Sequence, residues 1–251
     1  KEGAARAASP QEAAAAAEVV IICVSDTPDV ESLVLGPEGV SAGAKPGSVV
    51  VDMSTISPKA TRRMAQELAQ KGVKMVDAPV SGGSEGAEKA TLTIMVGGET
   101  EDVDKVRPVL EAMGSNITHV GPIGCGQLTK AVNQIIVGGN YLAVAEGVAF
   151  GLKAGLDMDK VIAAIRGGAA ASWVLDFRSG NMINNSYPLG FRARLHRKDI
   201  GIALAECREM GVSLPLSALV EQIENGLIGR GHGDEDISAL ARTLREEAGI
   251  D

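Results

Sequence analysis

The sequence predicts an α/β domain followed by an all-helical domain, with one long helix joining the two. Short apolar runs rich in β-branched residues alternate with helical stretches as far as residue 122. No strand pattern follows Gly121-Pro122, and residues from about 127 to 154 repeat apolar side chains at spacings of three, four and seven. Those spacings put the apolar side chains on one face of a long helix.

Five apolar runs are predicted to be strands, because they are short and rich in residues that favour buried strands. They cover residues 19–24, 48–53, 74–77, 91–96 and 117–120. Ser57-Pro58 is typical of a helix start, and Gly72 can end that helix after about residue 71. Since strands alternate with helices, we expect βαβ units and a largely parallel sheet.

The second half is predicted to be helical throughout. In the long helix, Leu128, Val132 and Ile135 share the apolar face, and Gly155 can end it. Further helices are expected at about 158–166, 198–210, 216–227 and 237–248. An alanine-rich stretch at residues 13–17 predicts one more helix, near the other end of the chain.

Composition excludes several classes of function. The 251 residues are 45% hydrophobic and carry a formal net charge of −8, so nucleic acid or an anionic membrane is not expected as a partner. Three cysteines without a CxxC pattern and three scattered histidines predict neither a disulfide framework nor a metal site. Without a secretory signal or an uninterrupted apolar run of about 18 residues, we expect a cytoplasmic protein.

The first candidate site is the segment DAPVSGG at residues 77–83, which follows a predicted parallel strand. Open α/β sheets bind ligands outside the carboxyl ends of such strands. Ser81 offers a hydroxyl, and Gly82 and Gly83 let backbone N–H groups approach an anion. A substrate carboxylate fits these donors, although an ordinary turn has the same residues.

The second candidate site is GCGQLTKAVNQ at residues 124–134. Its glycines precede the long helix and leave room for a ligand near the first turns. Lys130, Asn133 and Gln134 share one helix face, since they are three and four residues apart. Lys130 can donate a proton to a substrate oxygen. The alternative is a solvated surface lysine.

The third candidate is GFRARLHRKD at residues 190–199. Four basic side chains lie within seven consecutive residues there, although the chain as a whole is acidic. They are Arg192, Arg194, Arg197 and Lys198. Such a cluster suits cofactor phosphates or a carboxylate. A solvated helix start with ion pairs explains it equally well.

Together these three segments and TLTIMVGG (91–98) resemble the β-hydroxyacid dehydrogenase family, in order along nearly the whole chain. VIICVSDTPDV (20–30) and VVVDMSTISP (49–58) fit the resemblance as well. It implies a Rossmann-like NAD(P)-binding domain at 1–122 and an all-α dehydrogenase domain at 123–251. IRGGAAASWVLD (165–176) favours the tartronate semialdehyde reductase branch, which forms glycerate.

The resemblance also implies roles for single residues. Lys130 is expected to be the catalytic acid/base, Ser81, Gly82 and Gly83 to hold the substrate carboxylate, and Asn133 or Gln134 to orient the substrate. The expected contacts to NAD or NADP are Val24, Ser25, Val30, Thr55 and Lys198. We expect a homo-oligomer, a dimer or tetramer, formed through the helical domain.

One departure from the family pattern is the missing GxGxxG turn, which normally holds the cofactor pyrophosphate at a helix N-terminus. We therefore expect the Rossmann-like domain to be N-terminally truncated and to lack its first βαβ part. Two alternatives remain for function. One is a 3-hydroxyisobutyrate or succinic semialdehyde reductase of the same family, and the other is an inactive oligomerisation module.

Overall fold

The structure is a computed structural model that describes residues 3–250, and it divides into two compact units, Lys1–Lys130 and Ala131–Asp251. The division falls inside the helix Cys125–Lys153. The first turn of that helix hydrogen-bonds to Asp77, at the end of a strand of the first unit, so this turn belongs to that unit.

The first unit is built on a six-stranded sheet. Its strands are β1 (Val19–Ile22), β2 (Val49–Asp52), β3 (Lys74–Asp77), β4 (Val80–Ser81), β5 (Leu92–Gly97) and β6 (Gly114–Gly121). β1, β2 and β3 pair in parallel, and β5 pairs in parallel with β6. β3 and β4 both pair with β5 in the antiparallel sense.

The sheet is therefore mixed. The expectation of a largely parallel sheet holds within the group β1, β2 and β3 and within the pair β5 and β6. The chain leaves β3 through Pro79, forms the short strand β4 and turns back, so β5 runs against β3. A parallel return needs a crossover of a dozen or more residues across the sheet. Here much of the connection is used by β4 and a short helix.

Six helices surround this sheet among the described residues of the first unit. They are α1 (Pro10–Ala15), α2 (Thr27–Leu35), α3 (Val40–Gly43), α4 (Pro58–Ala69), α5 (Gly83–Glu88) and α6 (Thr100–Glu111). Alternating side chains of β2 face opposite sides, so Val50 packs with α2 and α4 while Val49 and Val51 pack with α6. Both faces of the sheet are consequently buried, as its apolar strands require.

The second unit is helical in its described residues, apart from one isolated bridge between Arg192 and Asp236. Its helices are the part of α7 (Cys125–Lys153) that follows Lys130, and α8 (Met158–Ile165), α9 (Trp173–Ile183), α10 (Ala193–Met210), α11 (Pro215–Gly229) and α12 (Leu240–Glu247). A 3₁₀ turn (Ile237–Ala239) precedes α12. Their core includes Tyr141, Met182 and Leu227. α9 was not predicted, and α10 begins before residue 198.

Helix α7 is long and apolar enough to cross a membrane by length and composition alone, with a mean hydropathy of 1.5 over an 18-residue window. The sequence test for an uninterrupted apolar run missed this property because polar residues such as Asn140 and Glu146 interrupt the apolar run within the helix. A core helix of a soluble protein passes the same test, so the result is weak support for a membrane span.

Candidate active site

The loops that follow β1 and β2 are tied together by Ser54. Its Oγ accepts a hydrogen bond from Val24 N at 2.9 Å, and its own N donates to Asp52 Oδ1 at 3.0 Å. Ser25 is exposed and Thr55 is half-buried beside this junction. Both polar side chains thus follow parallel strands at their carboxyl ends, where sheets of this class bind ligands.

Val30 differs from the other residues expected to contact the cofactor. It has no exposed surface and packs in the core among α1, α2 and α4. In the described structure its side chain therefore stabilises helix α2 and offers a ligand no surface. The sequence pattern could not separate this buried position from the nearby exposed ones, because Val30 lies on the inward face of an amphipathic helix.

Asp77, the last residue of β3, holds the first turn of α7. Its Oδ1 accepts from Gly124 N at 2.7 Å, and its Oδ2 accepts from Gln127 N at 2.8 Å. The first amides of any helix lack partners within the helix, so a carboxylate placed there replaces the missing acceptors. Asp77 is completely buried, and desolvation raises its pKa to about 6 although both backbone hydrogen bonds act to lower it.

Gln127 adds a second attachment at the same turn. Its side-chain Oε1 accepts from Ile56 N at 3.1 Å, and its Nε2 donates to Ser54 O at 2.8 Å. The side chain is almost completely buried, and both ends of its amide are satisfied. The start of α7 is therefore bonded to the loop after β2 as well as to the end of β3.

The glycines around this turn allow the start of α7 to pack closely against β3 and β5. A Cβ on Gly126 would collide with the Met95 carbonyl oxygen and with Asp77, and a Cβ on Gly97 would collide with the Asp77 carboxylate. Gly124 has a positive φ of 88°, which favours glycine. The expectation that these glycines leave room for a ligand is corrected for Gly126, because backbone and Asp77 atoms occupy that space.

Lys130 lies one turn beyond this attachment, and it is 7% exposed. A solvated surface lysine would be far more exposed, so that alternative does not describe this side chain. A lysine is seldom buried without a partner or a function. The position of its helix turn follows from the bonds of Asp77 and Gln127.

Ser81, Gly82 and Gly83 connect β4 to α5. Ser81 is half-buried and both glycines are exposed, with φ of 133° at Gly82 and 62° at Gly83. A Cβ on Gly82 would also lie 3.2 Å from Leu92 Cδ2. The turn thus needs glycine for its backbone shape, and both glycines lie on the surface of the unit.

In the second unit, Gln134 is the centre of a hydrogen-bonded chain of polar side chains. Its Oε1 accepts from Asn133 Nδ2 at 2.7 Å, and its Nε2 donates to Asp199 Oδ2 at 2.7 Å. The other oxygen of Asp199 pairs with Lys198 Nζ at 2.8 Å. Gln134 is buried and Asn133 is half-buried, so Asn133 is the more accessible amide of the two.

The basic cluster at 190–199 does not act as one group. Arg192 and Arg194 both pair with Asp234, at 3.0 Å and 2.7 Å, and Arg197 donates to Asn225 at 2.9 Å. Only Lys198 joins the polar chain that includes Gln134. The ion-pair alternative therefore describes Arg192 and Arg194, while Arg197 donates a hydrogen bond to a neutral amide. A ligand role remains a prediction for Lys198.

Sequence reasoning missed four polar residues that support these groups: Asp77, Gln127, His196 and Glu224. Asp77 had a usable signal, since a carboxylate ends a buried strand, but the N–H groups that donate to it are 47 and 50 residues away along the chain. Gln127 looks like an ordinary helix residue, and only the folded contacts identify it.

Two family models match consecutive parts of the chain. Residues 1–121 match the NAD binding domain of 6-phosphogluconate dehydrogenase, and residues 124–244 match the model described as NAD-binding of NADP-dependent 3-hydroxyisobutyrate dehydrogenase. The chain is 40% identical over 229 residues to 2-hydroxy-3-oxopropionate reductase of Escherichia coli (strain K12), a match that covers 91% of this chain and 78% of the relative. The chain belongs to the 3-hydroxyisobutyrate dehydrogenase family.

Further comparisons agree with this family. The 3-hydroxyisobutyrate dehydrogenase of Pseudomonas aeruginosa is 38% identical over 230 residues, covering 89% of this chain and 77% of the relative. A solved structure of Mycobacterium tuberculosis 3-hydroxyisobutyrate dehydrogenase with L-serine has a TM-score of 0.85 at 33% sequence identity. The match covers 94% of this chain and 82% of the chain in that structure. The protein is an oxidoreductase of the NAD(P)-dependent β-hydroxyacid dehydrogenase type, which confirms the resemblance, fold class, enzyme class and cofactor.

The raised pKa of Asp77 makes a prediction about stability. A folded pKa near 6 against an ordinary value of 3.8 means that the folded state binds the extra proton more tightly. Stability from this group is therefore fully present below about pH 4 and is lost as the pH rises to about 6, by about 3 kcal/mol at most. Denaturant unfolding of the protein and of Asp77→Asn measures the difference from pH 4 to 7.

We expect the stability of the protein relative to Asp77→Asn to fall across that range. Gln70→Ala, directly after α4, is the control, because Gln70 is exposed and the substitution removes no ionisable group. A pH-independent difference for Asp77→Asn would contradict the burial-driven shift.

Proposed function

We propose that the protein reduces tartronate semialdehyde to glycerate with NADPH or NADH, and that Lys130 is the acid. The observation that carries this proposal is the buried Lys130 one turn inside α7, directly after the turn that Asp77 and Gln127 hold. The name of the E. coli relative, 2-hydroxy-3-oxopropionate reductase, supports this substrate. The wild-type test is NAD(P)H oxidation with tartronate semialdehyde.

Lys130 supplies both positive charge and a proton in this reaction. As an ammonium, it donates a hydrogen bond to the carbonyl oxygen of the substrate and stabilises the negative charge that develops there. When bound, the reduced nicotinamide supplies the hydride to the carbonyl carbon. The Lys130 Nζ then gives its proton to the alkoxide oxygen, which leaves a neutral amine and the hydroxyl of glycerate.

The residues at the strand ends fit the cofactor. Ser25 and Thr55 present hydroxyl groups at the carboxyl ends of parallel strands, and Val24 is fixed beside them by its bond to Ser54. We assign cofactor contacts to Val24, Ser25 and Thr55, and to Lys198 in the second unit. Val30 is left out because its side chain has no exposed surface.

The substrate carboxylate is assigned to the turn of Ser81, Gly82 and Gly83. The Ser81 hydroxyl and the backbone N–H groups of the two exposed glycines are suitable donors to a carboxylate, and hydrogen bonds to a charged group are the stronger kind. Asn133 and Gln134 orient the rest of the substrate, and Asn133 is the more accessible of these amides. These groups neutralise the anion only in part, so Lys130 also contributes positive charge.

A second candidate substrate is 3-hydroxyisobutyrate, because two proteins named 3-hydroxyisobutyrate dehydrogenase, one of them a solved structure, are 38% and 33% identical in sequence to this chain. Succinic semialdehyde belongs in the same substrate panel. An inactive module would show no saturable NAD(P)H fluorescence change and no turnover with any of the three. The ratio of kcat/KM values across the panel then decides the substrate.

We also propose a cytoplasmic homo-oligomer, a dimer or tetramer, associated through the second unit. Among the described residues, all the exposed large hydrophobic side chains except Ile21 lie in that unit, and Phe150, Trp173 and Phe177 are 75%, 53% and 60% exposed. The rings of Trp173 and Phe177 contact each other, with centroids 5.2 Å apart, and adjoining exposed apolar side chains are typical of an association surface. Sedimentation equilibrium should give at least twice the chain mass, and Trp173→Ser with Phe177→Ser should lower it. A monomeric wild type would rule the proposal out.

Removing the Lys130 ammonium should abolish most turnover. We expect Lys130→Ala to lower kcat about 10²- to 10⁴-fold, because both charge stabilisation and proton donation are lost. Lys153→Ala is the matched control, since Lys153 is exposed at the other end of the same helix. Steady-state kinetics and circular dichroism measure the two variants. A folded Lys130→Ala protein with near-normal kcat would exclude the role.

Removing the Ser81 hydroxyl should affect only a substrate that has a carboxylate. We expect Ser81→Ala to raise KM for tartronate semialdehyde about tenfold, from the loss of one hydrogen bond to a charged group. KM for the matching uncharged amide should not change. Ser84→Ala, exposed in the same segment, is the control. Equal effects of Ser81→Ala on both substrates would show that the turn does not bind the carboxylate.

A further inference from the structure

A buried histidine–glutamate pair lies in the second unit beside the polar chain described above. His196 of α10 and Glu224 of α11 are both fully buried, and His196 Nδ1 lies 2.6 Å from Glu224 Oε1. Burial raises the pKa of the Glu224 carboxyl. Such pairs add little to stability compared with apolar side chains of the same size. The role of this pair is therefore sought in the groups that it orients.

The other ring nitrogen of His196 reaches α7. His196 Nε2 lies 3.3 Å from the carbonyl oxygen of Gln134, and that oxygen can only accept, so Nε2 carries the hydrogen of this bond. Gly138 provides the space for the ring. A Cβ there would lie 2.9 Å from His196 Cε1 and 3.4 Å from Nε2.

Gln134 is consequently held twice by helix α10. His196 bonds its backbone carbonyl, and Asp199, three residues further along α10, accepts from its side-chain amide at 2.7 Å. Residues three apart on a helix lie on the same face, so α10 presents both groups to Gln134. Glu224 fixes the orientation of the ring from its opposite side.

We infer that His196 and Glu224 are positioning residues for substrate binding and that they act through Gln134. This inference rests on the proposed role of Gln134 in orienting the substrate. With Glu224 in place, Nδ1 is bound and Nε2 faces Gln134. Without that partner the ring can turn, and the backbone and side chain of Gln134 lose their alignment with Asp199.

Two substitutions at Glu224 separate hydrogen bonding from volume. In Glu224→Gln, an amide N–H can donate to Nδ1 while the Nε2 hydrogen still reaches Gln134, so the network is kept. Glu224→Met has similar volume and no strong partner for Nδ1. Glu221→Met, one turn earlier and partly exposed on α11, is the matched control.

The first measurement is steady-state kinetics with saturating NADPH or NADH. We expect Glu224→Met to lower kcat/KM about 10- to 100-fold, mainly through KM for the semialdehyde, because misplacement by about 1 Å has effects of that size. Glu224→Gln and Glu221→Met should stay near the wild type. Combined with Gln134→Ala, Glu224→Met should cause no further loss, since both act through one residue.

Gly138→Ala gives a second test that leaves Glu224 unchanged. The added Cβ displaces the His196 ring from α7, so we expect the same rise in KM with normal folding, because alanine favours a helix more than glycine does. This variant decides the question even if Glu224→Met does not fold.

The last measurement needs no substrate. The side-chain amide of Gln134 is assigned in ¹⁵N-labelled protein by its disappearance in Gln134→Ala. Its resonances should move in Glu224→Met and Gly138→Ala and remain native in Glu224→Gln. Native resonances and native KM in both disruptive variants would overturn the inference, as would losses that multiply with Gln134→Ala. A wild type that reduces no semialdehyde would refute the proposed function alone, because the amide signal still reports the positioning.

Discussion

The placement of Lys130 depends on one buried carboxyl group, that of Asp77. The first amides of a helix have no acceptors within the helix, and Asp77 accepts from two backbone N–H groups at the start of α7. This arrangement requires Gly97 and Gly126, because any side chain there would occupy the space of the carboxylate. The protein accepts a buried ionisable group at this point, and the pKa near 6 is the consequence of its desolvation.

A similar principle applies to the next turn of α7 in the second unit. Gln134 is held by the carboxylate of Asp199 and the ring of His196, and Glu224 holds that ring. In each unit, one residue expected to touch the substrate, Lys130 or Gln134, lies on a stretch of α7 that buried polar side chains hold by hydrogen bonds. Such support fixes the orientation of a reactive group more closely than apolar packing does.

Much of the fold could be predicted from the sequence, because periodicity reports burial. The strand at residues 74–77 is observed as β3 (Lys74–Asp77), and the helix expected over 127–154 is observed as α7 (Cys125–Lys153). The direction of β5 could not be predicted, because it depends on how the chain turns after β3. Ser172 caps α9 through its side chain, and that signal could have identified the missed helix.

The candidate site was less accessible to sequence reasoning than the fold. Lys130, Asn133 and Gln134 could be placed on one helix face by spacing alone, but the burial of Lys130 depends on the folded chain. The arginines at 192, 194 and 197 looked equivalent to Lys198 until their partners Asp234 and Asn225 were known. The role of each basic side chain depends on a partner that is distant along the chain, and a local sequence pattern does not identify that partner.

Amide hydrogen exchange at Gly124 and Gln127 tests the central claim most directly. Since Asp77 accepts from both amides, their exchange should be as slow as that of core amides in the wild type and fast in Asp77→Ala. The comparison amides are those of Thr100 and Glu101 in the first turn of α6, whose N-cap residue Glu99 makes no side-chain hydrogen bond. Exchange at Gly124 and Gln127 as fast as at these two residues in the wild type would contradict the account.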